Sequence, residues 1–173
     1  MHAETHNILA VNPGVRYLGI AIFRGLELRD WRVRTFGRTP MPRKLNAVAT
    51  LLSEIIGRHA IDGLVMKRVH PSRSSGNLAR VAETIRTLAR TRGISYREFT
   101  IEELKRLLSP GRILNKLHLM EEAAARYPFL FTEMEREQRH KNPYLVRMFE
   151  AVALGIVCVN AGEAQRKVAL TNA

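Results

Sequence analysis

Two residues have types and positions that could do chemistry. Asn12 follows the apolar run Ile8-Leu9-Ala10-Val11 and precedes Pro13-Gly14. A four-residue apolar run closed by Pro-Gly reads as a buried strand, because a helix needs more length. Residue 12 then falls at the strand's end, beside an open turn, where a polar side chain can face a ligand. The plainer alternative is an asparagine that bonds its own turn. Glu150 lies within Tyr144 to Val159, where Leu145, Val146, Met148, Phe149, Val152, Leu154, Ile156 and Val157 cover every side of a helix. Such a helix is buried, and a buried carboxylate demands a cation, a metal or a shifted pKa. An ion pair with Arg147, one turn away, is the plainer alternative here.

A second kind of chemistry is suggested by cations. Lys67, Arg68, His70, Ser72, Arg73, Ser74 and Ser75 cluster within nine positions, and Arg80 follows shortly. Side chains of these types contact phosphates without discriminating bases. Lys105, Arg106, Arg112, Lys116 and His118 form another basic group around Pro110-Gly111, and Arg136, Arg139, His140 and Lys141 a third. A solvated polar surface is the competing reading of each. The chain carries 28 Lys+Arg against 16 Asp+Glu, a net charge of +12. An excess of that size points to a polyanionic partner, nucleic acid before others. Only 6% of residues are aromatic, fewer than single-strand readers use for base stacking. A duplex or branched backbone is therefore the better expectation.

The elements that must position these residues can be read in order. With 173 residues, 46% of them hydrophobic, the chain suits one domain over 1–173 with its own core. Asn7 to Phe23 reads as two strands about a tight turn, and Leu26 to Phe36 as a third with a slip near Asp30. Helical spacing marks Arg43 to His59. Ile61 to Val69 is a fourth strand and His70 to Gly76 a polar loop. Asn77 is expected to cap a helix that ends at Gly93. Ile94 to Phe99 is a fifth strand. Thr100 with Glu103 forms a capping box for a helix to Leu108. A further helix runs from Leu114 to Tyr127, stopped by Pro128. Phe129 to Lys141 is helical or an exposed loop, and Asn142-Pro143 marks a boundary. Tyr144 to Ala161 is the last helix, with a frayed tail from about 162. Three strands followed by alternating helices and strands imply a mixed α/β sheet with parallel crossovers.

The lone Cys158 has no internal disulfide partner and reads as packing. No apolar run approaches the roughly 20 residues of a membrane span, and the N-terminus lacks signal-peptide character. A soluble cytoplasmic protein is the expectation.

The run Ala-Val-Asn-Pro-Gly-Val-Arg-Tyr-Leu-Gly-Ile-Ala (residues 10–21) resembles the first strand and turn of RuvC-type Holliday junction resolvases, in the ribonuclease H-like superfamily. Pro13, Gly14 and Gly19 match, while Asn12 stands where that family has aspartate. Glu-Ala-Val-Ala-Leu-Gly-Ile, from Glu150, is similar to the family's last helix, whose carboxylate binds a divalent metal. Arg147 stands where many members have an acid or a histidine. In Leu64-Val65-Met66-Lys67-Arg68-Val69, Lys67 stands where the family has a metal-binding glutamate. The likeness runs from Asn7 to about Val159.

The resemblance implies a five-stranded ribonuclease H-like sheet flanked by helices and a phosphodiester hydrolase acting on branched DNA in recombination and repair. If active, the chain would use Mg²⁺ or Mn²⁺ held by residue 12 and Glu150, with Lys67 stabilising phosphate charge. Arg16, Arg112, Lys116 and Arg147 join the loop cations as expected DNA contacts. A symmetric dimer is implied, since a junction offers two equivalent strands. One charged acid remains at the three matched positions. This leaves open a catalytically silent relative, a one-metal site, or an aspartate replaced to halt the reaction. A non-catalytic nucleic-acid-binding module and an RNA-processing relative stand beside the nuclease reading. Glu98, Glu102 and Glu103 are further acids that could join the site.

Overall fold

The computed structural model describes residues 6–72, 74–139 and 144–171. Arg73, His140, Lys141 and the Asn142-Pro143 boundary lie outside the described residues. Five strands form one mixed sheet: β1 (Asn7–Asn12), β2 (Tyr17–Arg24), β3 (Glu27–Thr35), β4 (Gly63–Lys67) and β5 (Ser95–Phe99), in the order β3-β2-β1-β4-β5. The first three form an antiparallel meander, and β4 and β5 run parallel to β1 and to each other. The slip in β3 is a bulge: Ile22 faces Asp30 and Phe23 faces Leu28, which leaves Arg29 unpaired.

Strand alternation divides the core in two. Leu9, Val11, Leu64 and Met66 point to the face covered by α1 (Met41–Arg58) and α2 (Gly76–Arg92). Ile8, Ala10 and Val65 point to the other face. Covering that face are α3 (Ile101–Leu108), α4 (Lys116–Arg126) and α6 (Val146–Thr171), with α5 (Phe131–Arg139) at one side. The same parity puts Asn12 and Lys67 on the α6 face.

Two expectations change, and one open alternative is settled. Ser75, not Asn77, caps α2, accepting from Leu78 N–H at 3.2 Å; an uncapped first turn would leave donors orphaned, and Ser75 reaches them two residues earlier. The charged stretch after Phe129 is helical, as a short 3-10 turn (Pro128–Leu130) followed by α5. The last helix does not fray at 162 but continues to Thr171. Ala164, Gln165 and Ala169 are good helix formers, and Arg97 Nη2 reaches Gln165 Oε1 at 3.5 Å. Elsewhere, the Thr100/Glu103 capping box closes with both hydrogen bonds, and Gly93 ends α2 in the left-handed region.

The placement of α6 governs the site. Glu137 of α5 is 7% exposed and accepts the backbone N–H groups of Tyr144 at 2.8 Å, Leu145 at 2.7 Å and Val146 at 3.2 Å. A carboxylate there satisfies donors that the helix start leaves open and complements its dipole. At the next residue, Arg147, α6 meets β2 at Gly19. A Cβ at Gly19 would lie 2.0 Å from the Arg147 carbonyl oxygen, so this crossing admits glycine alone. At Gly155 the Phe23 ring fills the same role, 1.9 Å from where a Cβ would stand.

Candidate functional site

Asn12 ends β1 opposite Gly19 of β2, and Lys67 ends β4. Both therefore present side chains at the sheet end where α6 begins. Glu150, one turn into α6, completes the group. Its Oε2 accepts from Asn12 Nδ2 at 2.6 Å and from Lys67 Nζ at 2.6 Å. The second amide proton of Asn12 goes to the Arg147 carbonyl oxygen at 3.3 Å. Asn12 is fully buried and Glu150 is 8% exposed. Lys67 keeps its ammonium nearer solvent, at the rim. Asn12 Oδ1 is buried and has no hydrogen-bond partner among the described residues.

The three matched positions thus converge on one spot. The ion-pair partner of Glu150 differs from the sequence alternative: it is Lys67, across 83 positions, and Arg147 contributes its backbone. The Arg147 guanidinium extends instead toward the β1–β2 turn, with Nη1 3.6 Å from the position of a Gly14 Cβ.

A divalent cation does not suit this donor set. Mg²⁺ takes oxygen ligands, and two-metal phosphodiester hydrolysis needs several converging carboxylates. Here a single carboxylate shares one oxygen between an amide N–H and an ammonium. The ammonium is donor-only and would repel a second cation. Among the described residues, no group of three or more His, Cys, Asp and Glu side chains could hold a metal ion. Glu98 cannot join, because it lies on the opposite sheet face. There it takes Arg86 Nε at 2.6 Å and Arg68 Nε at 3.3 Å, with the Tyr96 hydroxyl also donating. Burial pushes the Glu98 carboxyl up, but these donors outweigh it and hold it below the usual range. Burial and the same hydrogen bond drive the Tyr96 hydroxyl well above its ordinary value. Glu103 is occupied at the α3 cap, where the Thr100 N–H lowers its carboxyl.

The expected phosphate contacts are spread over several elements. Arg16 is exposed in the β1–β2 turn, and Arg68 and His70 follow β4. The loop is internally tied: Ser72 contacts His70 Nδ1 through its N–H at 3.3 Å and its hydroxyl at 2.9 Å, and Ser74 donates to the His70 carbonyl. Ser75 serves the α2 cap. Arg80 is exposed on α2 and Lys116 at the first turn of α4. Arg112 is held by Glu122 at 3.0 Å. Sequence reasoning missed Glu137, which sits in a charged run indistinguishable from solvated surface, and Arg86, whose helix position gave no hint of Glu98. Cys158 is half-buried, and burial pushes its thiol up. A cavity of about 570 Å³, lined by His6, Asp62, Ser95, Arg97 and Cys158 among others, opens at the far end of the sheet. It shares no residue with the Asn12 group. No helix among the described residues is long and apolar enough to cross a membrane.

No protein-family model matches the sequence, and no curated protein matches it. Solved structures do match in fold. RuvC of Thermus thermophilus, solved in complex with a Holliday junction substrate, aligns with a TM-score of 0.71 at 12% identity, over 91% of this chain and 96% of that one. The fowlpox virus resolvase, solved with Holliday junction DNA, gives 0.55 at 10% identity over 90% and 97%. The human cytomegalovirus terminase nuclease domain gives 0.51 at 11% identity over 89% and 86%. The chain therefore has the ribonuclease H-like fold that RuvC and other Holliday junction resolvases share.

Proposed function

We propose that this protein binds branched or duplex DNA through its phosphates, on a resolvase-like scaffold whose metal-binding place is taken by the Lys67–Glu150 ion pair. The observation that carries this reading is the 2.6 Å contact between Lys67 Nζ and Glu150 Oε2. It sets one positive charge against the one carboxylate at the three matched positions. What remains of nuclease chemistry is electrostatic: a net charge of +12 and exposed cations at the rim draw in a polyanion and hold its backbone. The solved neighbours that contain Holliday junctions favour branched DNA as the ligand. Assembly as a symmetric dimer on a two-fold junction belongs to the same proposal.

Binding to a synthetic four-way junction, followed by anisotropy across a salt series, tests the reading. Affinity should fall steeply between about 50 and 200 mM salt, with log Kd linear in log salt. Arg80→Ala or Lys116→Ala should each reduce the slope by about one. Salt-independent or absent binding would overturn the proposal. Tighter binding to structured RNA would redirect it to RNA.

The buried, unpartnered Asn12 Oδ1 supports one second reading, a nuclease halted at residue 12. An aspartate is isosteric there and would add the missing charge. In Mn²⁺, Asn12→Asp should cut the junction if that reading holds. No cutting by Asn12→Asp, or by Asn12→Asp with Lys67→Glu, supports the binding protein.

A further inference from the structure

The cavity of about 570 Å³ at the far end of the sheet has walls from several elements. Ile8 of β1, Gly63 of β4, and Ser95 and Arg97 of β5 make the sheet side, and α6 from Cys158 onward makes the other. Ile8 and Val159 are buried in its wall, and Leu26 is 43% exposed. A space of this size, with an apolar wall and a few polar groups, suits a small organic ligand. Gly162 keeps it open. A Cβ there would meet nothing within 4 Å beyond its own helix, so no close contact demands glycine, although glycine is a poor helix former.

The polar groups of the wall divide into those already engaged and those left over. Asp62 is engaged: Oδ1 lies 3.2 Å from His6 Nδ1, and Oδ2 accepts the Asn7 N–H at 3.1 Å. The Ser95 hydroxyl donates to the Asp62 carbonyl at 3.3 Å. Arg97 is barely engaged. Its Nη2 reaches Gln165 Oε1 at 3.5 Å, the outer limit of a hydrogen bond. Among the described residues Arg97 has no carboxylate partner, and Glu163, which lines the same cavity, has no cation. Two opposite charges thus share one cavity without closing on each other. A guanidinium takes a carboxylate through two parallel N–H groups, and a carboxylate takes an ammonium. A plain organic acid would leave Glu163 as a like charge beside it, and a plain amine would leave Arg97. A zwitterion with an apolar body satisfies both.

We propose that this cavity binds a free amino acid with an apolar side chain, its carboxylate on Arg97, its ammonium on Glu163 and its side chain against Ile8 and Val159. The inference is independent of the DNA-binding reading above. The test follows amide resonances of the isotope-labelled full chain during titration with L-phenylalanine, with hydrocinnamate, which lacks the ammonium, and with phenethylamine, which lacks the carboxylate. L-Phenylalanine should give saturable shifts at Gly63, Arg97, Gly162 and Glu163. The other two should each bind about tenfold more weakly, the worth of one charged hydrogen bond. Arg97→Met should weaken L-phenylalanine by about tenfold and leave phenethylamine as it was. Gly162→Leu should abolish the shifts while melting no lower than the parent, since leucine is the better helix former. Absent shifts in the parent, or shifts that persist in Gly162→Leu, overturn the site. Equal affinity for L-phenylalanine and hydrocinnamate overturns the zwitterion and makes the cavity an anion pocket. Equal loss of L-phenylalanine and phenethylamine in Arg97→Met overturns the carboxylate contact, whatever the fold of Gly162→Leu.

Discussion

Lys67 Nζ and Glu150 Oε2 stand 2.6 Å apart, and Asn12 Nδ2 meets the same oxygen at 2.6 Å. One carboxylate oxygen thus ties β1 and β4 to α6. The side chains are 22% and 11% exposed for Lys67 and Glu150. The pair is dry enough to matter, yet close enough to solvent that its Coulomb energy is discounted.

Removing one partner leaves a charge that is poorly solvated. Lys67→Met should lower unfolding free energy by about 2 kcal/mol, below the range for fully buried pairs. Lys67→Met with Glu150→Leu should recover most of that loss, because neither charge then remains. Urea denaturation of the four proteins of this cycle gives the coupling directly. A double variant weaker than the sum of both singles would contradict a stabilising pair.

Glu137 should matter more than its place in a charged surface run suggests. Its two oxygens take three N–H groups at the start of α6. Glu137→Ala should cost about 2 kcal/mol, at the upper end for helix caps. Because the first turn of α6 carries Arg147 and leads to Glu150, the variant should also speed amide exchange through that turn. Hydrogen-exchange measurements of residues 146–150 check this; unchanged protection would show that α6 is seated without the cap.

Gly19→Ala places a methyl 2.0 Å from the Arg147 carbonyl oxygen. Since backbone cannot swing aside like a long side chain, α6 must shift. A loss of about 3 kcal/mol is expected, typical of overpacking. The Asn12–Arg147 hydrogen bond lies at the same crossing, so the shift should perturb the Asn12 amide resonances as well. A thermal melt near that of the parent would show that α6 yields there without cost.

Glu98 sets an acid limb to stability. Against burial, its donors Arg86, Tyr96 and Arg68 hold the carboxyl below its ordinary value of 4.5. The folded chain then binds fewer protons than the unfolded one in that range. The contribution is whole above pH 4.5 and is lost as pH falls through the lowered folded value. Glu98→Gln should be less stable than the parent at neutral pH, and the two should converge on acidification. Melting curves from pH 7 downward measure the gap, and a constant gap would rule out this linkage.

The sequence by itself determined what is short-range. The apolar run into Asn12, the glycine at 19, the Thr100/Glu103 capping box and the helical spacing of α1 are local signals, and each element formed where its signal stood. What only the tertiary structure decided was who meets whom. Glu150 reaches across 138 positions to Asn12 and 83 to Lys67, while Arg147, its neighbour on the helix, turns toward Gly14 instead. Glu98 was claimed by Arg86 on the opposite face, and Glu137 by the start of α6. Periodicity and turn chemistry fix the direction of a side chain from its own element, but a charge is neutralised by whatever the assembled fold brings within about 3 Å. That distance is a property of the packed sheet and helices, absent from the order of residues along the chain.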